Sequence, residues 1–189
     1  MPFRLLGFAA DPDKASDLCG KAFARYAASG TEVTLVCAGA RDWSGVDHGP
    51  AVRQLGVRDL VLLDYRLSEL TAADLEDVFA DVMASVRPHV VVGDASHAQV
   101  REATTSAFSR VRRVTGGSAA LPAKLYYRAP ARIAGVAVTT AIAIATAAPE
   151  LFVRVFPNPW VTGVLERDLF AGLPGETGAS GSLAERLAS

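Results

Sequence analysis

The sequence predicts an α/β fold built on a mainly parallel sheet, and three observations predict it. The apolar run Leu5 to Ala9 is followed by a charged turn and an Ala-rich helical segment from Ala22 to Ala28. Glu32-Val33-Thr34-Leu35-Val36-Cys37 then reads as a second strand. A strand, a helix and a strand within about forty residues form a right-handed βαβ unit, which requires parallel strands. The same order of apolar strand, ionisable turn and helix recurs from His89 onward.

The elements follow in order. Leu5 to Ala9 is a strand buried on both faces, and the first helix runs from Ala22 to Ser29 and stops at Gly30. Glu32 to Cys37 is the second strand. Gly39 to Pro50 carries repeated turn residues and reads as a loop over the sheet edge. Ala51 to Leu55 is a short helix ended by Gly56, and Asp59 to Leu63 is the third strand. Thr71 caps a helix that runs to about Ser85, with Val78, Val82 and Val86 on one face. Pro88 breaks it, and His89-Val90-Val91-Val92 is the fourth strand. The turn Gly93-Asp94-Ala95-Ser96-His97 leads into a helix from Gln99 to about Arg113. Gly116-Gly117-Ser118 is a connection, Lys124 to Tyr127 a strand, and Leu151 to Phe156 a further strand or edge segment. The alternation Ala141-Ile142-Ala143-Ile144-Ala145 suits a half-buried strand. Residues 1–173 read as one α/β domain, and 174–189, rich in Gly and Ser, as a flexible tail.

Composition narrows the function classes. Half of the 189 residues are hydrophobic and 21% are charged, as in a soluble globular domain. A net charge of −1 gives no electrostatic case for nucleic acid or an anionic membrane as partner. Ile133 to Ala148 includes Thr139, Thr140 and Thr146 and falls short of the ~18 apolar residues of a spanning helix. The stretch before Asp11 is too short for a signal peptide, and Cys19 and Cys37 fit a reduced, cytoplasmic setting. No GxGxxG follows the first strand, and Gly20 lies too far into the helix to replace it, which argues against a dinucleotide site.

Two turns carry the chemistry. Asp11, Asp13 and Lys14 crowd the first; Asp94, Ser96 and His97 stand in the second. In a parallel sheet such turns emerge on one edge, so the two clusters can converge. Read alone, the first turn is an ordinary helix N-cap, where Asp is favoured and complements the helix dipole.

The first turn resembles the opening motif of the PIG-L/LmbE-like N-acetylglucosamine deacetylases, A-H-P-D-D-E-x-x-x-C-G-G. Ala10, Pro12, Asp13, Cys19 and Gly20 match it without a gap, while Asp11, Lys14 and Ala15 fall on its histidine, second aspartate and glutamate. The second turn resembles the family's H-x-D-H, with Asp94 at the first histidine, Ser96 at the aspartate and His97 keeping the last histidine. Arg87-Pro88-His89-Val90-Val91-Val92 resembles the preceding R-P-D-V-V-V strand, and Leu55-Gly56-Val57 with Leu63-Asp64-Tyr65 resembles an L-G-V and L-D-Y segment. The D-G that follows in the family is replaced around Leu67-Ser68, and no R-x-x-E pair stands near Ser44 to Asp47. After Val138-Thr139-Thr140 the helical K-x-x-A-L-x-x-H-x-S-Q segment is missing, whereas Leu165 to Phe170 looks like a family ending. The resemblance covers residues 4 to 173.

It implies a Rossmann-like three-layer sandwich and a site in which two histidines and the second aspartate hold zinc, with the first aspartate as general base. The first histidine of H-x-D-H is assigned a part in stabilising the oxyanion. Here Asp11 and His97 are the remaining metal donors, and Asp13 keeps the position of the base. Lys14 is the decisive change, because an ammonium has donors and no acceptor. Its charge at ~4 Å from a divalent ion, at an effective dielectric of 20, opposes binding by about 8 kcal/mol. Without a metal, Asp13 loses the Lewis acid that activates water. General-base help alone is worth roughly 10²–10⁴-fold, too little for amide hydrolysis. The leading expectation is therefore a deacetylase-fold protein with a decayed zinc site and no cofactor, acting as a binding or partner protein. The alternative is an active N-acetyl-sugar deacetylase, either with zinc in an altered site or with metal-free acid/base chemistry on Asp13, Lys14, Asp94 and His97. The ligand implied is a small molecule such as an N-acetylated sugar conjugate, with room for a homo-oligomer or a protein partner. His48 and His89 are expected to face solvent or to be hydrogen-bonded.

Overall fold

The computed structural model describes residues 2–42, 56–116, 121–129, 141–144, 150–156 and 168–173. The expected helix at Ala51 to Leu55, His48, most of the Gly39 to Pro50 loop, the flanks of the Ala141 strand and the 174–189 tail lie outside the described residues. So do the side chains of Asp13 and Cys19, whose backbone is helical.

The elements are β1 (Arg4–Ala9), α1 (Pro12–Ala28), β2 (Glu32–Cys37), β3 (Asp59–Leu62), α2 (Ala72–Val86), β4 (Val90–Asp94), α3 (Ala98–Thr115), β5 (Lys124–Ala129), β6 (Ala141–Ile144) and β7 (Glu150–Phe156). They form one sheet in the order β3-β2-β1-β4-β5-β7-β6. Pairings from β3 through β5 are parallel, and β7 and β6 are antiparallel. The mainly parallel α/β sheet is therefore as expected. β7 lies inside the sheet between β5 and β6, so it is not an edge segment.

Two local readings are corrected. The first helix starts at Pro12, ten residues before the expected Ala22. Asp11 caps it, its Oδ1 accepting from the Lys14 N–H at 2.8 Å, and Pro12 supplies the preset φ favoured in the first turn. The charged stretch is thus already helical, interrupted at Gly20, whose φ of 42° and ψ of −157° only glycine adopts without strain. On α2 the Thr71 cap is as expected and closes a capping box with Asp74. Its buried stripe, however, is Leu75, Phe79 and Met83, while Val78, Val82 and Val86 are only half-buried. The larger side chains remove more apolar area from water and set the rotation of the helix.

Strand alternation divides the core into two layers. Leu5, Ala9, Leu35, Val90 and Val92 meet Phe23 and Tyr26 of α1 on one face. Leu6, Phe8, Val36 and Val91 meet Phe79, Met83 and Phe108 of α2 and α3 on the other, with Phe8 stacked on Phe79 at 4.1 Å. Residues 168–173 close the α1 face: the Leu169 N–H donates to Tyr26 Oη at 2.9 Å, and Lys124 Nζ donates to the Ala171 carbonyl.

At the amino edge of the sheet, His89 Nδ1 accepts from the Arg4 N–H at 3.1 Å, so the imidazole must be neutral on that nitrogen. His89 is thus hydrogen-bonded, one of the two environments expected for it. Burial, then the Arg4 and N-terminal charges, hold its pKa below the usual 6.5. A histidine pKa depressed by folding contributes stability above its unfolded value, which is lost as pH falls through the folded one. Thermal stability of the native chain is expected to drop on acidification below pH ~6.5. His89→Gln, an acceptor without a proton to gain, should flatten that limb. Identical melting profiles for the two proteins from pH 7 to 5 would refute this.

Candidate functional site

In this strand order β1 and β4 are the switch point: one connection leaves toward β2 and the other toward β5. Ligands of open α/β sheets bind in the crevice beyond the carboxyl ends at that point. Phe8 lies opposite Gly93 in the parallel register, so β1 and β4 end level and their turns leave side by side on one edge. The Asp11 turn and the Asp94 to His97 turn are therefore neighbours.

Each residue then has a definite environment. Asp11 is half-buried, with Oδ1 engaged in the cap, and Lys14 is exposed in the first turn of α1. Cys37 ends β2 opposite Ala9, a free buried thiol pushed up to about 12 by burial, with the Asp11 carboxylate adding to the shift. Asp94 ends β4 and is 6% exposed. Its Oδ1 accepts from the Ser96 N–H at 2.8 Å and from Ser96 Oγ at 2.6 Å, which folds the turn. Its Oδ2 is buried with no hydrogen-bond partner among the described residues. His97 occupies the N-cap of α3 but makes no side-chain cap bond, and its Nδ1 is likewise buried with no partner among the described residues.

The neighbouring chain ends frame this edge. Gly39 N–H donates to the Ala10 carbonyl at 2.8 Å, and Gly39 pairs with Asp64 in an isolated antiparallel bridge. A Cβ on Gly39 would lie 2.8 Å from Leu67 Cγ, so the segment that follows Leu63-Asp64-Tyr65 is held close against the end of β2. Arg41 and Asp64 pair at 3.9 Å in solvent, where such a pair is worth little.

Sequence reasoning missed two contributors. Arg128 on β5 is the register partner of Asp94. Tyr127 packs over Gly93, its hydroxyl 2.8 Å from the Arg101 carbonyl and 2.7 Å from Thr105 Oγ1, and burial pushes the phenol up to about 12. The glycine itself was the available signal, because Gly inside a strand often marks a close approach.

Zinc, which the motif resemblance implies, needs three protein donors and an open position in a hydrolytic site. Among the described residues no three His, Cys, Asp or Glu side chains come together to hold a metal ion. Asp11 is engaged in the cap, and Lys14 has no acceptor to offer. The described donors do not fit a three-ligand zinc centre.

No protein-family model matches the chain, and no curated protein matches it closely enough to count as a relative. Solved structures do match. The conserved protein TT1542 from Thermus thermophilus is 19% identical with a TM-score of 0.56, over 65% of this chain and 64% of its own length. The chain thus spans a little under two thirds of that protein. The zinc-inhibited form of teicoplanin deacetylase Orf2 is 15% identical with a TM-score of 0.51, over 71% of each chain. A deacetylase in complex with teicoplanin is 14% identical with a TM-score of 0.50, over 66% of this chain and 69% of the other. At these identities the likeness is one of fold. The chain has the three-layer α/β fold of the PIG-L/LmbE-like deacetylases. No helix among the described residues is long and apolar enough to cross a membrane.

Proposed function

We propose that this chain is a deacetylase-fold binding protein. In this reading its carboxyl-edge turns take a small molecule, of the class of N-acetylated sugar conjugates, without zinc-dependent hydrolysis. Residues 1–173 would form the binding domain, 174–189 a tail, and the setting would be cytoplasmic. The observation that carries the reading is the first turn: the Asp11 carboxylate is engaged as a helix cap and Lys14 stands where a ligating aspartate would be needed. The teicoplanin deacetylase structures of the same fold support a small-molecule ligand, and its N-acetylated class follows from the motif resemblance.

A second reading, an active amide hydrolase with an altered metal site or metal-free chemistry, draws on His97 Nδ1, which is buried with no hydrogen-bond partner among the described residues. Asp13, Lys14, Asp94 and His97 are the residues it would use. Elemental analysis separates the two. Protein purified without chelator is expected to carry well below stoichiometric zinc or iron. Stoichiometric metal in the native chain would overturn the binding-protein reading.

A further inference from the structure

We infer that the carboxyl-edge site selects a ligand bearing a protonated amine, and that Asp94 Oδ2 is the acceptor that selects it. This rests on the proposed sugar site and replaces its N-acetylated ligand with the deacetylated, amine-bearing sugar. Asp94 is buried at the end of β4, at the switch point, and strand alternation places its side chain on the α1 face with Val90 and Val92. One oxygen is saturated by Ser96, whereas the other is buried and accepts nothing. A buried carboxylate oxygen without a donor is costly, and a charge-assisted bond is the strongest way to satisfy it.

Helix N-termini ordinarily favour anions, and α1 and α3 both begin here. At α1, Asp11 already answers that field with its own carboxylate, and the Asp94 carboxylate stands just ahead of α3. The local cations are also placed: Lys14 is exposed on α1, Arg101 Nη1 donates to the Ala95 carbonyl at 3.3 Å, and Arg128 stands beside Asp94 on β5. This edge offers a ligand the Asp94 Oδ2 acceptor and, on the same sheet face, the Arg128 Nη1 donor, which makes no hydrogen bond among the described residues. An ammonium satisfies the buried Asp94 oxygen with a charge-assisted bond and a neutral amide N–H with a weaker one, so the free amine should bind in preference to the N-acetyl amide.

The test is isothermal titration of the native chain, Asp94→Asn and Asp94→His at pH 6.5 with glucosamine, N-acetylglucosamine and glucose. Glucosamine should bind the native chain at least about tenfold more tightly than either other sugar, the scale of one charge-assisted bond. Asp94→Asn keeps an oxygen for Ser96 but loses the charge, and should erase that preference. Asp94→His should erase it too. Equal or tighter binding of N-acetylglucosamine, glucose binding as well as glucosamine, or a preference unchanged by Asp94→Asn would each overturn the inference while leaving a sugar site in place. Failure of all three sugars to bind would overturn both the inference and the sugar-site reading.

Discussion

Replacing Asp11 by His and Lys14 by Asp together should raise zinc affinity by about a hundredfold or more, a gain of roughly 2.7 kcal/mol. The substitutions remove a cation from the first turn of α1 and put a histidine and an aspartate there, on the same sheet edge as His97, whose Nδ1 is buried with no hydrogen-bond partner among the described residues. Lys14 is exposed, so solvent screens most of the about 8 kcal/mol by which an ammonium at ~4 Å would repel a divalent ion at an effective dielectric of 20, and the hundredfold gain is the part expected to remain. The double variant loses the Asp11 cap on the Lys14 N–H and should be less stable without metal by about 1 kcal/mol. Added zinc should more than restore that loss through mass action. Isothermal titration and metal-dependent melting provide the two readouts. Equal, weak binding by native and double-variant chains would mean that backbone geometry has diverged as well as ligand identity. Tight binding by the native chain would reverse the functional conclusion. Deacetylase activity is not expected to follow, because no R-x-x-E pair stands near Ser44 to Asp47 and the D-G after Tyr65 is replaced around Leu67-Ser68.

The sheet was legible because its strands are short apolar runs punctuated by Gly, Pro and charged turns, and these signals are local. The helix boundaries were less so. Asp11-Pro12-Asp13-Lys14 is polar enough to read as a turn, yet one side-chain bond from Asp11 commits it to helix. Gly20 hides the continuity by splitting α1 into two segments on either side of a positive-φ residue. The face of α2 was misread because equal weight was given to valine and to larger side chains, whereas packing favours Leu75, Phe79 and Met83. At the candidate site, the motif resemblance pointed to the two turns, and the parallel register of β1 and β4 sets them side by side. Burial was not legible. Nothing in the order of residues says that one Asp94 oxygen would be saturated by Ser96 and the other left without a donor. That asymmetry depends on where β4 ends, one residue past Gly93 and two past the expected Val92.

Gly93→Ala is expected to destabilise the chain by about 3 kcal/mol, the upper part of the range for overpacking a filled core. A Cβ at Gly93 would lie 2.4 Å from Tyr127 Cε1, 2.9 Å from Cδ1 and 3.3 Å from Thr104 Cγ2. The ring cannot simply turn away, because its hydroxyl is engaged with Arg101 and Thr105 on α3 and it is packed into the buried α2–α3 layer. Relief must come from β4 or α3 moving apart, and either displacement carries Asp94 and His97 with it, since Asp94 borders Gly93 and His97 caps α3. For a chain of this length the loss corresponds to a fall in Tm on the order of 10 °C. Tyr127→Leu removes the opposing ring edge, so in the double variant the cost of the added methyl should shrink, giving a coupling of at least ~1 kcal/mol in the mutant cycle. Additive effects, or a Gly93→Ala protein as stable as the native chain, would show that β4 and α3 can separate freely. The Asp94 turn would then lack the rigid support that a selective acceptor requires.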